Sequence, residues 1–309
     1  MTLSELFPWI IFGFIVLVML IIDLGIANRR PHEIKLKEAI VWSLVWIGLA
    51  LLFNGGVYLY LGPQKALEFF TGWLIEKSLS VDNLFVFLLI FSFFKVETRY
   101  QHKVLFWGII GALIMRAIFI AAGVSLVREF HWIMYVFGAF LIFTGGRMAF
   151  NPKKEIHPEK NPLLKLLRRF LPVLNRYEGG KFFTRIDGRA YATPLFVVLI
   201  VVETTDLIFA VDSIPAILAI TLDPFIVFTS NVFAILGLRA LYFALAGVID
   251  RFRYLHYGLA AVLVFIGIKM VIEFFEIAIP TTIALAVVGS LLGIAVMASL
   301  FKPRAETGV

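Results

Sequence analysis

Three acidic residues, Glu203, Asp206 and Asp212, stand in VVETTDLIFAVDSIPA (201–216), a segment that is otherwise almost wholly apolar. Glu76 and Asp82 stand in EKSLSVDNLFVF (76–87), and Asp23 stands in IIDLG (21–25). Carboxylates in apolar surroundings bind a cation, exchange a proton or pair with a buried base. The neighbouring donors are also hard oxygens, on Ser80, Asn83, Thr204, Thr205 and Ser213. The five histidines (His32, His102, His131, His157 and His256) lie near predicted span ends or in loops and form no ligand-like pair, and cysteine is absent. An all-oxygen donor set suits Mg²⁺, Ca²⁺ or Mn²⁺. Without cysteine the chain has no disulfide, thiolate metal site or thiol relay of its own. No nucleophile–base pair or cofactor fingerprint is present, so neither an enzyme nor a prosthetic group is expected. The glycine pairs at 55–56, 145–146 and 179–180 read as helix packing or turns rather than phosphate loops.

The elements that must hold these acids are membrane helices. Of the 309 residues, 61% are hydrophobic and 16% charged, with a mean hydropathy of +0.94. The apolar residues come in runs long enough to cross a hydrocarbon core of ~30 Å. Nine spans are predicted, at 8–27, 38–61, 68–94, 104–127, 131–150, 193–221, 225–249, 256–276 and 280–301. The first reads as a retained helix, since it has no basic leader or small-residue cleavage site and carries Asp23. Loops on one side hold 21 of the 28 basic residues, ten of them in 151–192, whereas the other side holds Lys65 and Arg128. The positive-inside rule then puts the N-terminus outside and the C-terminus in the cytoplasm. Topology accounts for the net charge of +7, so a nucleic-acid partner is not expected; the partners are the bilayer and an ion. The oligomeric state is left open.

The chain also repeats itself. Asp206-Leu-Ile-Phe-Ala-Val-Asp212-Ser213 aligns with Glu76-Lys-Ser-Leu-Ser-Val-Asp82-Asn83, an offset of 130 residues. Arg116-Ala-Ile-Phe-Ile-Ala aligns with Arg239-Ala-Leu-Tyr-Phe-Ala at 123, and Phe143-Thr-Gly-Gly-Arg147-Met148 with Phe265-Ile-Gly-Ile-Lys269-Met270 at 122. Each copy has three spans, an odd number, so the expected fold is an all-α polytopic membrane protein with an inverted repeat. The copies cover about 68–150 and 193–276, joined by a basic cytoplasmic loop over 151–192. Within that loop, Leu163–Leu171 has the apolar spacing of an interfacial helix or of a solvated linker.

An ionised group at bilayer depth costs roughly 2.5–3.5 kcal/mol on insertion scales, so six carboxylates need partners, cations or a wet cavity. Arg116 and Arg239, one per copy, are the expected counter-charges, with Lys77 and Lys269 as further candidates. Arg147 and Lys269 are placed to snorkel at span ends, as are Glu273 and Glu276 at the outer interface. Asn231 could bridge helices or supply a ligand oxygen. Ion pairs that merely glue helices together are the alternative reading, but the acids outnumber the deep cations. Asp206 and Asp212 are six residues apart, which on a helix is about 120° around and 9 Å along. A straight helix cannot bring both to one small ion. Either the helix unwinds locally, as Pro215 would favour by freeing the Val211 carbonyl, or acids from both copies combine.

These motifs, with the two RA[IL][FY] spans and IIDLG, resemble the TerC/Alx family of bacterial membrane proteins over nearly the whole chain. The resemblance implies Mn²⁺ export from the cytoplasm, with Glu76, Asp82, Asp206 and Asp212 at the family's acidic motif positions and Asp23 and Glu203 beside them. Asn83 and Ser213 follow the motif aspartates as supporting polar groups. The alternative is a non-transporting membrane protein that supports envelope or tellurite stress responses or membrane-protein assembly.

Overall fold

The computed structural model describes residues 3–27, 36–150, 172–174, 176–186, 188–246, 254–275, 277 and 279–301, excluding the side chains of residues 3–5, 23–27, Asp82, Phe85 and Phe274. The helices are α1 (Leu3–Ala27), α2 (Leu36–Leu61), α3 (Pro63–Phe93), α4 (Thr98–Glu129), α5 (Ile133–Phe150), α6 (Pro194–Leu218), α7 (Pro224–Leu236), α8 (Leu238–Ala246), α9 (Leu255–Ile272) and α10 (Thr281–Phe301). They match the nine predicted spans, the seventh being broken at Gly237 into α7 and α8. Among the described residues seven spans are long and apolar enough to cross a membrane by themselves. The other two are α1, with a 17-residue apolar stretch over Leu6–Ile22, and α3, which carries Glu76, Lys77 and Asp82. The architecture is that of an all-α polytopic membrane protein.

Local chemistry sets where the site helices begin. Each of α3, α6 and α7 starts with proline in its first turn, where a missing N–H costs nothing and φ is already helical. Asp223 caps α7 by accepting from the amides of Phe225 at 3.0 Å and Ile226 at 3.4 Å.

The spans alternate in direction between two rims. At one rim, Lys65 at the start of α3 meets Asp223 between α6 and α7, and Arg128 at the end of α4 meets Leu222. At the other, Tyr177 donates to the Phe94 carbonyl and Tyr242 of α8 to Gln101 of α4. Helices α3 and α6, which carry the two acidic motifs, therefore run in opposite directions. Lys95, Arg99, Lys103, Arg176, Lys181, Arg185 and Arg189 gather at this second rim.

The second rim also carries structure that helix periodicity does not signal. Strands β1 (Phe183–Ile186) and β2 (Arg189–Ala192) pair antiparallel, Ile186 opposite Arg189. The sequence signal is Asp187-Gly188 between alternating residues, a two-residue hairpin turn, and Gly188 has φ +78. The proposed interfacial helix over 163–171 lies outside the described residues.

Packing is closest between α5 and α9. A Cβ at Gly145 would lie 2.7 Å from the Ala260 carbonyl, and one at Gly267 2.5 Å from the Gly138 carbonyl. Gly145 and Gly267 are matched by the 122-residue offset, which also pairs Gly138 with Ala260. Exchanging the two copies therefore turns one contact into the other. The same exchange relates the remaining major seams, α3 against α7 and α4 against α6. Outside this centre, Phe12, Phe53, Phe69, Phe225, Phe228 and Phe233 form an aromatic cluster, with Phe53 and Phe233 centroids 4.6 Å apart.

Candidate functional site

The centre of the bundle is a polar node around Arg116, which is 1% exposed. Its Nη1 donates to Glu76 Oε1 of α3 through a short ion pair. The same nitrogen donates to Asn231 Oδ1 of α7 at 2.9 Å and to Ser213 Oγ of α6 at 3.4 Å. Nη2 reaches Asp206 Oδ1 of α6 at 3.4 Å. Four helices thus converge on one guanidinium, whose planar fork suits several acceptors at once. Glu76 and Asp206 occupy equivalent places in the two sequence copies, and Arg116 joins them. Ser80 also donates to Glu76 Oε1 at 3.4 Å. Asn231 anchors itself by donating to the Val227 carbonyl at 2.9 Å, so its amide bridges helices.

The node is incompletely satisfied. Glu76 Oε2, Asp206 Oδ2 and Arg116 Nε are buried without a hydrogen-bond partner. Buried polar atoms in this condition mark strain, a functional role or a place for water or an ion. Next to the node, on the hairpin side, a cavity of about 20 Å³ is lined by Phe87, Gly108, Glu203, Asp206, Leu238 and Arg239 among others, room for about one water molecule. Glu203 Oε2 is likewise buried without a partner. Its carboxylate lies over Gly111 of α4, where a Cβ would sit 2.1 Å from Oε1. Only glycine leaves space for this acid.

The structure separates the sequence-predicted residues into groups. Glu76, Asp206, Arg116 and Ser213 meet at the node, while Glu203 and Arg239 line the adjoining cavity. Asp212 is half-buried on α6, six residues further toward the Lys65 rim. Asn83 is buried on α3, at 4% exposed. Asp82 lies on α3 and Asp23 on α1, their side chains outside the described residues.

Local unwinding at Pro215 is not observed: α6 is helical from Pro194 through Asp212 and Pro215 to Leu218. Pro215 sits in the last turns, where the loss of one backbone bond is absorbed by the helix end. The acids are instead combined across the two copies. The break in the second copy is at Gly237, where Lys77 of α3 donates to the Ala234 carbonyl of α7 at 3.2 Å. A cation at a helix C-terminus satisfies a carbonyl and complements the helix dipole. The sequence signal for this break is a lone glycine inside a helical run. Lys269 likewise does more than snorkel, donating to the Ala219 carbonyl at the end of α6 at 2.5 Å. Arg147 is exposed, as expected of a snorkelling residue.

Among the described residues, no three histidine, aspartate or glutamate side chains lie close enough together to hold a metal ion. In the arrangement seen, the guanidinium of Arg116 supplies the positive charge between Glu76 and Asp206.

A multi-helix membrane protein with a charged centre is the class these features define. The chain belongs to the integral membrane protein TerC family, whose model matches residues 61–307. It is 53% identical over 294 residues to "Uncharacterized membrane protein STKORF319" of Myxococcus xanthus, covering 94% of this chain and 92% of the relative. It is 50% identical over 296 residues to "Putative membrane-bound redox modulator Alx" of Salmonella typhi, covering 93% of this chain and 91% of the relative. The protein of the same name from Escherichia coli K12 is 50% identical over 294 residues, covering 92% of this chain and 91% of that one. No solved structure matches the chain.

Proposed function

We propose that this protein is a secondary transporter that exports a divalent cation, Mn²⁺ in the first instance, from the cytoplasm by alternating access. The observation that carries the reading is the node itself: one buried arginine joins Glu76 and Asp206, equivalent acids on oppositely directed helices. Ion sites in transporters built from inverted repeats lie where the two copies meet, near the middle of the bilayer. The exchange-symmetric contacts of Gly145 with Ala260 and Gly267 with Gly138 support that relation between the copies. The oxygen-only donors support a hard divalent cation, and the family resemblance supports manganese among these. Thiol chemistry is unavailable to a chain with no cysteine, so the redox wording in the relatives' names does not describe a dithiol relay here.

On this reading, Arg116 neutralises the acids while the ion is away. An arriving cation competes with the guanidinium for Glu76 and Asp206, with Glu203 as a further oxygen donor and with Asp82 and Asp212, each six residues away along its helix, as acids on the path to and from it. Displaced protons are a natural counter-flow, because carboxylates in a low-dielectric site exchange protons as the local charge changes. The basic rim with the hairpin faces the cytoplasm, and the Lys65 rim faces outward. The test is Mn²⁺ uptake into inverted membrane vesicles. Asp212→Asn is expected to abolish it at unchanged protein level, and uptake at the wild-type rate by that variant overturns the assignment.

A further inference from the structure

The five-residue connection from α6 to α7, residues 219–223, is gripped by side chains from three other helices. Lys65 of α3 bridges Glu68 Oε2 at 3.0 Å and Asp223 Oδ2 at 3.1 Å. Thr221 donates to the same Glu68 oxygen at 2.7 Å, and its own hydroxyl accepts from the Asp223 amide at 3.2 Å. Arg128 of α4 donates to the Leu222 carbonyl at 3.4 Å, and Lys269 of α9 to the Ala219 carbonyl at 2.5 Å. Glu68 and Thr221 are 9% and 8% exposed, whereas the side chains of Lys65 and Asp223 are 34% and 29% exposed, so the clasp is buried on its inner side and opens to the rim at the Lys65–Asp223 pair.

Between clasp and node, the facing stretches of α3 and α7 carry fully buried Thr71, Thr229 and Ser230. There a Cβ at Gly72 would lie 3.0 Å from Ser230 Oγ. These hydroxyls bond to carbonyls within their own helices. They make the seam one of small hydroxyl residues, which lets the two helices approach closely and leaves hydroxyl oxygens along it. On the opposite side of the node is the small cavity that holds Glu203 and Asp206.

We infer that residues 219–223 are the gate on the Lys65 rim of the transport path, shut in this structure, with Lys65, Glu68, Thr221 and Asp223 as its clasp. The inference rests on the transporter reading above. The gate opens when Lys65 and Thr221 let go of Glu68 and the seam along Thr71 and Ser230 parts. Lys269 and Arg128 keep the connection attached to α9 and α4, so it swings with those helices.

The absence of native cysteine makes the test clean. In the full chain, Lys65→Cys and Asp223→Cys are combined and bridged across the gate with a short, reducible bifunctional thiosulfonate. Mn²⁺ transport and equilibrium ⁵⁴Mn²⁺ binding are compared for the same preparation before bridging, after bridging and after reduction. Transport is expected to fall at least about tenfold on bridging and to return on reduction, while binding stays within about twofold, as for a protein locked with one gate shut. Unchanged transport with bridging verified by mass overturns the gate and leaves the transporter reading intact. Wild-type chain that moves no Mn²⁺ in the same assay overturns the transporter reading itself.

Discussion

The two sequence-matched halves place an arginine at equivalent positions but use different backbones to do so. In the first half α4 runs unbroken from Thr98 to Glu129, and Arg116 projects from its middle into four polar partners. In the second half the counterpart span stops at Leu236 and restarts at Leu238, so that Arg239 sits just past a break. The broken end is closed by Lys77 from the first half, which has no basic counterpart 130 residues on, where Leu207 stands. Glu203 is equally one-sided, since Trp73 holds the matching place. A doubled sequence thus yields one continuous helix and one interrupted at a single residue, Gly237. Transport by rocking one half against the other uses such a difference, because discontinuous helices expose carbonyls and permit bending where continuous ones do not.

The largest effect is expected from removing the buried charge of the continuous helix. Arg116→Met leaves Glu76 and Asp206 buried together without their cation, a change that costs about 3–5 kcal/mol when a buried pair loses one member. Thermal unfolding in detergent will read it as a marked drop in stability. Arg116→Lys is expected to recover only part, because a point charge cannot bond to four partners on three helices in the way a guanidinium fork does.

Next come the two symmetric seams. Gly145→Ala and Gly267→Ala each push a methyl into a backbone carbonyl of the facing helix, at 2.7 and 2.5 Å. Each is expected to destabilise by about 1–3 kcal/mol, the usual cost of overpacking. Equal losses support the exchange-symmetric relation, and a loss at only one position breaks it. The neighbour Gly146 has nothing within 4 Å, so Gly146→Ala serves as the neutral control.

At the cavity, Gly111→Ala drives a Cβ into the Glu203 carboxylate, whereas Gly108→Ala meets only Val202 at an ordinary 3.5 Å. Mn²⁺ transport is expected to fall in the first variant and to persist in the second. Similar rates in both would remove Glu203 from the ion path. The smallest effect is expected at the joint, where Lys77→Met gives up one charge-assisted bond to the Ala234 carbonyl. A loss of about 1 kcal/mol is expected, since relieving the burial of the ammonium offsets part of the lost bond, with hydrogen exchange rising around Gly237 before it rises in α4.

Much of this organisation is legible in the residues alone. Apolar runs of bilayer length mark seven of the spans by themselves among the described residues, because no water inside a bilayer can satisfy a backbone that is not helical. Acids repeated at one offset, and arginines at another, named the groups that meet at the centre. The hairpin was not expected, although Asp187-Gly188 is a turn signal, because its four-residue strands lie in a charged loop where helix periodicity is the wrong signal.

Only the tertiary structure decided which groups touch. Spacing along α6 says that Asp206 and Asp212 cannot share one ion on a straight helix, and it leaves open whether the helix bends or the other copy helps. The structure kept α6 helical through Pro215 and brought Glu76 across from α3. It placed the break at Gly237, where Lys77 could cap the loose end and where a Cβ would lie 2.9 Å from its ammonium. Sequence determines what each span can offer, since side-chain chemistry and helix period are local. Which offers are taken depends on charges from helices more than a hundred residues apart, and only the folded bundle sets those distances.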